Sequence, residues 1–423
     1  MSSPIIPDFL AQMLSPFRKL FHAASWDSFR AIILGLLLEL SNSSLVRASL
    51  VSGPEYNWRR THDFMRRNRW SHQKTIATHC STTVQSLYGD SLPEKLFWAA
   101  DGTTTDKPSA RKIHGVRTMR RSYKRYGQRT THRGHGWVVL GLLSKTGRLS
   151  HRCSLIGGLM KTRHSSETDL ACRLVTHARL PKQTTNIVVC DRGFGSIKAV
   201  KKLEPKGIKV LVRMKKDDRV YEVDAPPPTG KRGRPRTYGY SWQVSRLPMS
   251  HWGATEKVQT KVSGKKKWVS VKSCVLRRKG LDVLVKVFRV KLPKKVLYLQ
   301  STDLSLTAGE AVWGYLGRQS IEVAISEAKE LGLGDYRGRR AKGVRRWATM
   351  VCIAQSLLQQ MSQREELREQ LPRLNWPWYE KENTVGAVRR RLITGLIQEG
   401  LFEGFSSQWE EHPEDSKKAQ VQR

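Results

Sequence analysis

Apolar positions along this chain change their rhythm three times. Through the first 92 residues they recur at three-and-four spacing, the period of an amphipathic helix: FLAQMLSPFRKLFHAA from Phe9, then the more fully apolar SFRAIILGLLLEL from Ser28. From Lys95 the runs become short and continuous. LFWAAD ends at Asp101, and a polar, basic stretch follows. WVVLGLLS and RLSHRCSLIG then read as a hairpin turned at Lys145-Thr146-Gly147. HSSETDLACRLVTHARL predicts an amphipathic helix, NIVVCD a fully buried strand ending at Asp191, GSIKAVKKLEPKG a helix closed by Pro205 and Gly207, and IKVLVRM another strand. Between 215 and 295 the helical period vanishes; WQVSRL, KWVSVKSCVL and DVLVKVFRVKL alternate as strands do, among Gly and Pro turns. VLYLQST from Val296 is a strand, and from Thr307 the pattern is helical again, until a polar tail closes the chain.

Strand, hairpin, helix, strand, helix, strand is the order of a ribonuclease-H-like α/β core. The predicted organisation is a helical domain over 1–92, a core over 93–214 and 296–355, a mostly β, basic insertion over 215–295, and a helical C-terminal region with its tail over 356–423.

Charge narrows the partners. The 423 residues carry 76 Lys and Arg against 36 Asp and Glu, a formal net charge of +40. A compact chain bears such self-repulsion most readily when its partner is a polyanion, and nucleic acid is the first choice. A membrane fits poorly: the most apolar run, AIILGLLL from Ala31, is far shorter than the roughly 20 residues that span a bilayer. Six scattered cysteines without a CxxC pair argue against a zinc ribbon or disulfide framework and for a reducing cytosol. In the N-terminal region Arg59, Arg60, Arg66, Arg67 and Arg69 crowd around Trp58, Phe64 and Trp70, which suits phosphate contacts or, more plainly, a solvated helix face over an apolar core.

Candidate chemistry lies in the carboxylates. Asp101 and Asp191 each end an apolar strand and precede glycine-containing turns, the position at which open α/β sheets place ligand sites. Glu322 lies on a later helix, with Arg318 four residues before it and Lys329 seven after it on the same face, and Tyr315 a turn earlier. Two strands and a helix delivering three carboxylates meet the need of two divalent ions, magnesium or manganese, for phosphoryl transfer. Taken singly, either aspartate is equally a turn former or helix cap. Asp106 and Glu327 are rival acids nearby, and Asp303 reads as a cap for the following helix.

Tyr315, Arg318, Glu322 and Lys329 match, at every spacing, the Tyr-x2-Arg-x3-Glu-x6-Lys signature of a group of DDE transposases from bacterial insertion sequences. WAADGTTTDK and VVCDRGFG resemble the segments that carry the first two acids in that group, and ELGLGDYRGR the stretch after the signature. One departure is Ser320, where an aromatic is frequent. The resemblance implies catalytic, metal-binding Asp101, Asp191 and Glu322, with Tyr315, Arg318 and Lys329 on DNA phosphates and Lys107 as a further phosphate contact. It implies a cytoplasmic, nucleoid-associated enzyme. Such an enzyme would bind terminal inverted repeats, cut at the element's end and join the freed 3′-hydroxyl to target DNA, working as a homodimer on DNA. A catalytically silent DNA-binding descendant and a nuclease that cuts without joining are the alternatives.

KRGRPR carries the Arg-Gly-Arg-Pro core of an AT-hook, so Arg232, Arg234 and Arg236 are candidate minor-groove contacts. Trp242, Trp252 and Trp268 read as the core of the insertion, with stacking on unpaired bases as their other use.

Overall fold

The structure, a computed structural model, describes residues 7–38, 45, 58–110, 112–120, 131–146, 149–194, 197–224, 238–262, 265–373 and 383–398. The Arg232, Arg234 and Arg236 loop lies outside them, as does the polar tail.

Six strands build the part of the sheet that positions the site. A short β2 (Arg117–Arg120) lies across β3 (Thr131–Thr146) from β1 (Lys95–Asp106), and β3 pairs antiparallel with β1, β2 and β4 (Ser150–Lys161). β5 (Thr185–Cys190) runs parallel to β1, and β6 (Lys209–Arg213) parallel to β5. On β1, Phe97 and Ala99 face one core while Leu96, Trp98 and Ala100 face the other. Coverage on both faces is why these strands read as unbroken apolar runs.

The predicted β insertion does not stand apart from this sheet. β7 (Arg219–Tyr221) and β8 (Ser241–Gln243) form a small ribbon, but β9 (Glu256–Val262), β10 (Lys265–Leu276) and β11 (Val285–Lys291) join β12 (Val296–Ser301), which pairs antiparallel with β6. The result is a ten-stranded mixed sheet ordered β2-β3-β1-β5-β6-β12-β11-β10-β9, with β4 beside β3. Its outer hairpin corrects one expectation: Trp252 is buried, whereas Trp268 on β10 is 65% exposed.

Helices cover both faces. α1 (Asp8–Leu14), α2 (Ala23–Leu38), α3 (Trp58–Arg66) and α4 (His72–Tyr88) divide between the two cores: Ile76, Cys80 and Val84 of α4 join that of Trp98, and the apolar sides of α1 to α3 join that of Phe97 and Ala99. Phe64 and Trp70 stack 4.9 Å apart inside it, while Arg59, Arg60, Arg67 and Arg69 face outward. α5 (Glu167–Ala178) and α6 (Ile197–Leu203) are the crossovers on the opposite face, between β4 and β5 and between β5 and β6. α7 (Ala308–Gly317) starts on a capping box between Thr307 and Glu310; α8 (Ser320–Glu330) follows at once. α9 (Ala341–Gln363) is the central, mostly buried helix of the first core; α10 (Glu365–Glu369) and α11 (Val385–Gln398) complete it.

Some of the positive charge is internal. Arg346, 1% exposed, lies over the Trp70 ring and donates to the carbonyl oxygens of Phe64, Met65, Asn68 and Trp70, closing the C-terminal end of α3. Arg389 does the same for the Leu36 and Leu37 carbonyls at the end of α2. Cations at helix C-termini satisfy orphan carbonyls and oppose the helix dipole. Among the described residues no helix is long and apolar enough to cross a membrane.

Candidate active site

β1 outruns its neighbour. Its last pair with β5 is Ala100 with Cys190, yet it continues beside β3 to Asp106. From Asp101 onward one edge of β1 is therefore open, and a groove of about 790 Å³ lies there. Asp101, Asp106, Glu167, Asp191, Lys161 and Lys329 are among its walls.

Each acid is placed by a different element. Asp101 sits where β1 loses its second neighbour; the Gly102 N–H donates to Oδ1 at 2.7 Å, and the Arg318 Nη1 donates to Oδ2 at 3.0 Å. Asp191 opens the turn after β5, whose Phe194 N–H donates to the Asp191 carbonyl oxygen at 3.0 Å. Glu322 lies in the first turn of α8, where the helix dipole favours a carboxylate. It is 60% exposed, and its Oε1 lies 3.5 Å from Arg318 Nη2.

Arg318 joins the set. It occupies the junction of α7 and α8, is 11% exposed, and forks between Asp101 and Glu322. Two glycines bring α7 close enough for this. A Cβ at Gly314 would meet Phe97 at 2.6 Å, and one at Gly317 would meet His151 at 2.4 Å. Burial pushes the Asp101 carboxyl above the usual range; Arg318 and the Gly102 N–H pull it down, and the negative charges of Glu322 and Asp191 push it up again. Asp191 and Glu322 thus both lie within electrostatic reach of Asp101.

The remaining predicted residues divide. Lys329 lines the groove; burial lowers its ammonium pKa and Asp106 raises it. Tyr315 is 9% exposed, its hydroxyl engages Arg213, and burial raises its pKa. Lys107 is partly buried beside Asp335 and Arg337, off the groove wall. Of the rival acids, Glu327 accepts from Gln355 Nε2 at 2.7 Å and from Gln359 Nε2 at 3.0 Å, which ties it to α9. Asp106 is in the groove, with the His132 Nε2 3.5 Å from its Oδ1. Asp303 turns the chain toward Ser305 instead of capping α7, which Thr307 does.

Sequence reading missed Glu167, Lys161 and Arg213. Lys161 and Glu167 form an ion pair in the groove, with the Glu167 carboxyl 3.5 Å from where a Gly102 Cβ would stand. Nothing marked Glu167 in advance, since Ser166 and Asp169 around it read as an ordinary helix start.

Three carboxylates are the oxygen donors a hard divalent cation takes, so by chemistry Asp101, Asp191 and Glu322 fit such an ion. Their present positions are another matter. Among the described residues no three Asp, Glu, His or Cys side chains lie close enough to hold one metal, and Arg318 stands between two of the acids.

A large mixed sheet with helices on both faces fits the ribonuclease-H-like fold of DDE proteins. The chain belongs to the DDE superfamily endonucleases: the profile of that family matches residues 16–273, more than half of the chain. The match takes in Asp101 and Asp191 and ends ahead of Glu322. No curated protein matches the chain.

Proposed function

We propose that this protein is a DNA transposase of a bacterial insertion sequence, bearing the Tyr-x2-Arg-x3-Glu-x6-Lys signature on α7 and α8, and that Asp101, Asp191 and Glu322 are its catalytic acids. One observation carries the reading. In a chain of net charge +40, Asp101, where β1 passes the end of β5, and Asp191, just after β5, open onto one groove, and a single arginine links Asp101 to Glu322.

The residues divide the work by charge. Lys329 and Arg318 offer cations to the phosphodiester, and Lys161 lines the same groove. Asp101 and Asp191, fixed by backbone at the sheet edge, hold negative charge where the phosphorus is attacked. Bound by the three acids, magnesium or manganese would lower the pKa of the attacking hydroxyl and offset charge on the leaving oxygen. Hydrolysis places a water oxygen on phosphorus and frees a 3′-hydroxyl. That hydroxyl then displaces the 3′-oxygen of a target phosphodiester, so bonds made and broken balance. Joining two ends calls for two active sites, hence a homodimer on DNA.

The test is nicking and joining of a duplex that carries the element's terminal inverted repeats. Wild-type protein should nick it only with divalent metal and join pre-cleaved ends. Asp191→Asn should bind the duplex and do neither. Because the family is described as endonucleases, cutting without joining is the second reading, and it stands if pre-cleaved ends are never transferred.

A further inference from the structure

We propose that Arg318 fills the cation's place in the DNA-free protein, so that the acids take a metal ion only after a DNA phosphate has drawn the guanidinium away. The inference rests on the assignment of the three acids above and adds how that site is regulated.

Three features carry it. First, the guanidinium touches the two acids that lie on different elements, Asp101 on β1 and Glu322 on α8, as a bridging cation does. With Arg318 there, no three described acidic, His or Cys side chains are gathered tightly enough for an ion. An incoming cation would meet like charge before it met ligands.

Second, the arginine is incompletely satisfied. Its Nε is buried and has no hydrogen-bond partner among the described residues, and the contact to Glu322 is long at 3.5 Å. A buried donor without a partner is costly, which lowers the barrier to leaving. A phosphate answers both defects, since the planar fork of arginine matches two phosphate oxygens at once.

Third, the move needs no refolding. Arg318 stands between two helices whose backbone bonds are already made, with its N–H on the Gly314 carbonyl and its carbonyl taken by Ile321. Side-chain rotation alone frees Asp101 and Glu322. Lys329, in the same groove, supplies a second cation toward which the phosphate is drawn.

Linkage fixes the sign. If DNA raises the affinity for metal, metal raises the affinity for DNA by the same factor, typically about 5–150-fold for such couplings. Metal loading before DNA arrives would be disfavoured, and cutting confined to the assembled complex.

The experiment titrates manganese by electron paramagnetic resonance into full-length, DNA-free protein. Wild type should bind weakly. Arg318→Gln should gain a site roughly tenfold or more tighter, and Arg318→Gln combined with Asp101→Asn should lose it. A merely structural arginine would give the opposite, since its removal loosens the acids and weakens binding. Equal affinity in wild type and Arg318→Gln overturns the proposal. Should Arg318→Gln not melt cooperatively, wild type is compared with and without duplex, with the duplex's own manganese subtracted. No gain on adding DNA then overturns it as well. Metal-dependent nicking by wild type, measured alongside, separates the two ideas. Nicking with no gain in Arg318→Gln rejects only the latch, whereas absence of nicking on any duplex rejects the catalytic assignment beneath it.

Discussion

Asp101 is held by opposed forces. Burial and two neighbouring carboxylates favour its neutral form, while one guanidinium and one backbone N–H favour the charged one. Glu322 and Glu327 make the complementary contrast: five residues apart on one helix, one faces solvent and Arg318, the other is tied to two glutamines of α9. That contrast is testable. Glu322→Gln should reduce metal-dependent nicking by more than the roughly 10–100-fold that changing an outer partner costs. Glu327→Gln should leave nicking within that smaller range while shifting the melting temperature. Equal losses in a kinetic assay of both would remove the distinction. Both glutamates were visible as candidates in the sequence, and the helical period puts them on different faces. Which of the two is tied down depends on Gln355 and Gln359 of α9, far along the chain.

At the scale of elements, the arginines are the informative residues. Arg346 and Arg389 resemble DNA contacts by composition, yet each closes a helix end from inside the core. Arg346→Met should cost about 3 kcal/mol of stability, since several buried carbonyls lose their donor at once. Chemical denaturation would read this as a lower midpoint at unchanged slope. A change below about 0.5 kcal/mol would mean that those carbonyls find other partners. The strands were legible because burial on both faces writes an uninterrupted apolar run, as in LFWAA and IVVC. The fate of β9 to β11 was not. Alternating strands say that one face is covered, not that the hydrogen-bonding edge continues the main sheet. Trp268 shows the cost of that ambiguity, for it stands on the uncovered face of the outer hairpin.

For the whole molecule, charge dominates what a partner experiences. Even with some arginines internal, the net +40 remains, and lysines of β9 and β10 with arginines of α3 project outward. If 6–10 of these cations meet phosphates, binding to duplex DNA should fall about 10³–10⁵-fold between 50 and 200 mM salt. Fluorescence anisotropy across that range gives the slope. A flat profile would mean that the excess charge serves something other than a nucleic acid backbone.

The amino-acid order by itself determined the alternation of strands and helices, the placement of Asp191 at the end of β5, and the shared helical face of Glu322 and Lys329. These are local consequences of periods of two and 3.6 residues and of where apolar runs stop. The same order ended β1 at Asp101, where the strand in fact runs on to Asp106, and made one helix of α7 and α8, which break at Arg318. Only the tertiary structure decided that β1 outruns β5 to open a groove, that Glu167 and Lys161 stand in it, and that Arg318 reaches Asp101. Each of those depends on elements distant in the chain meeting across a sheet, and side-chain reach between elements is set by packing, which local periodicity does not encode.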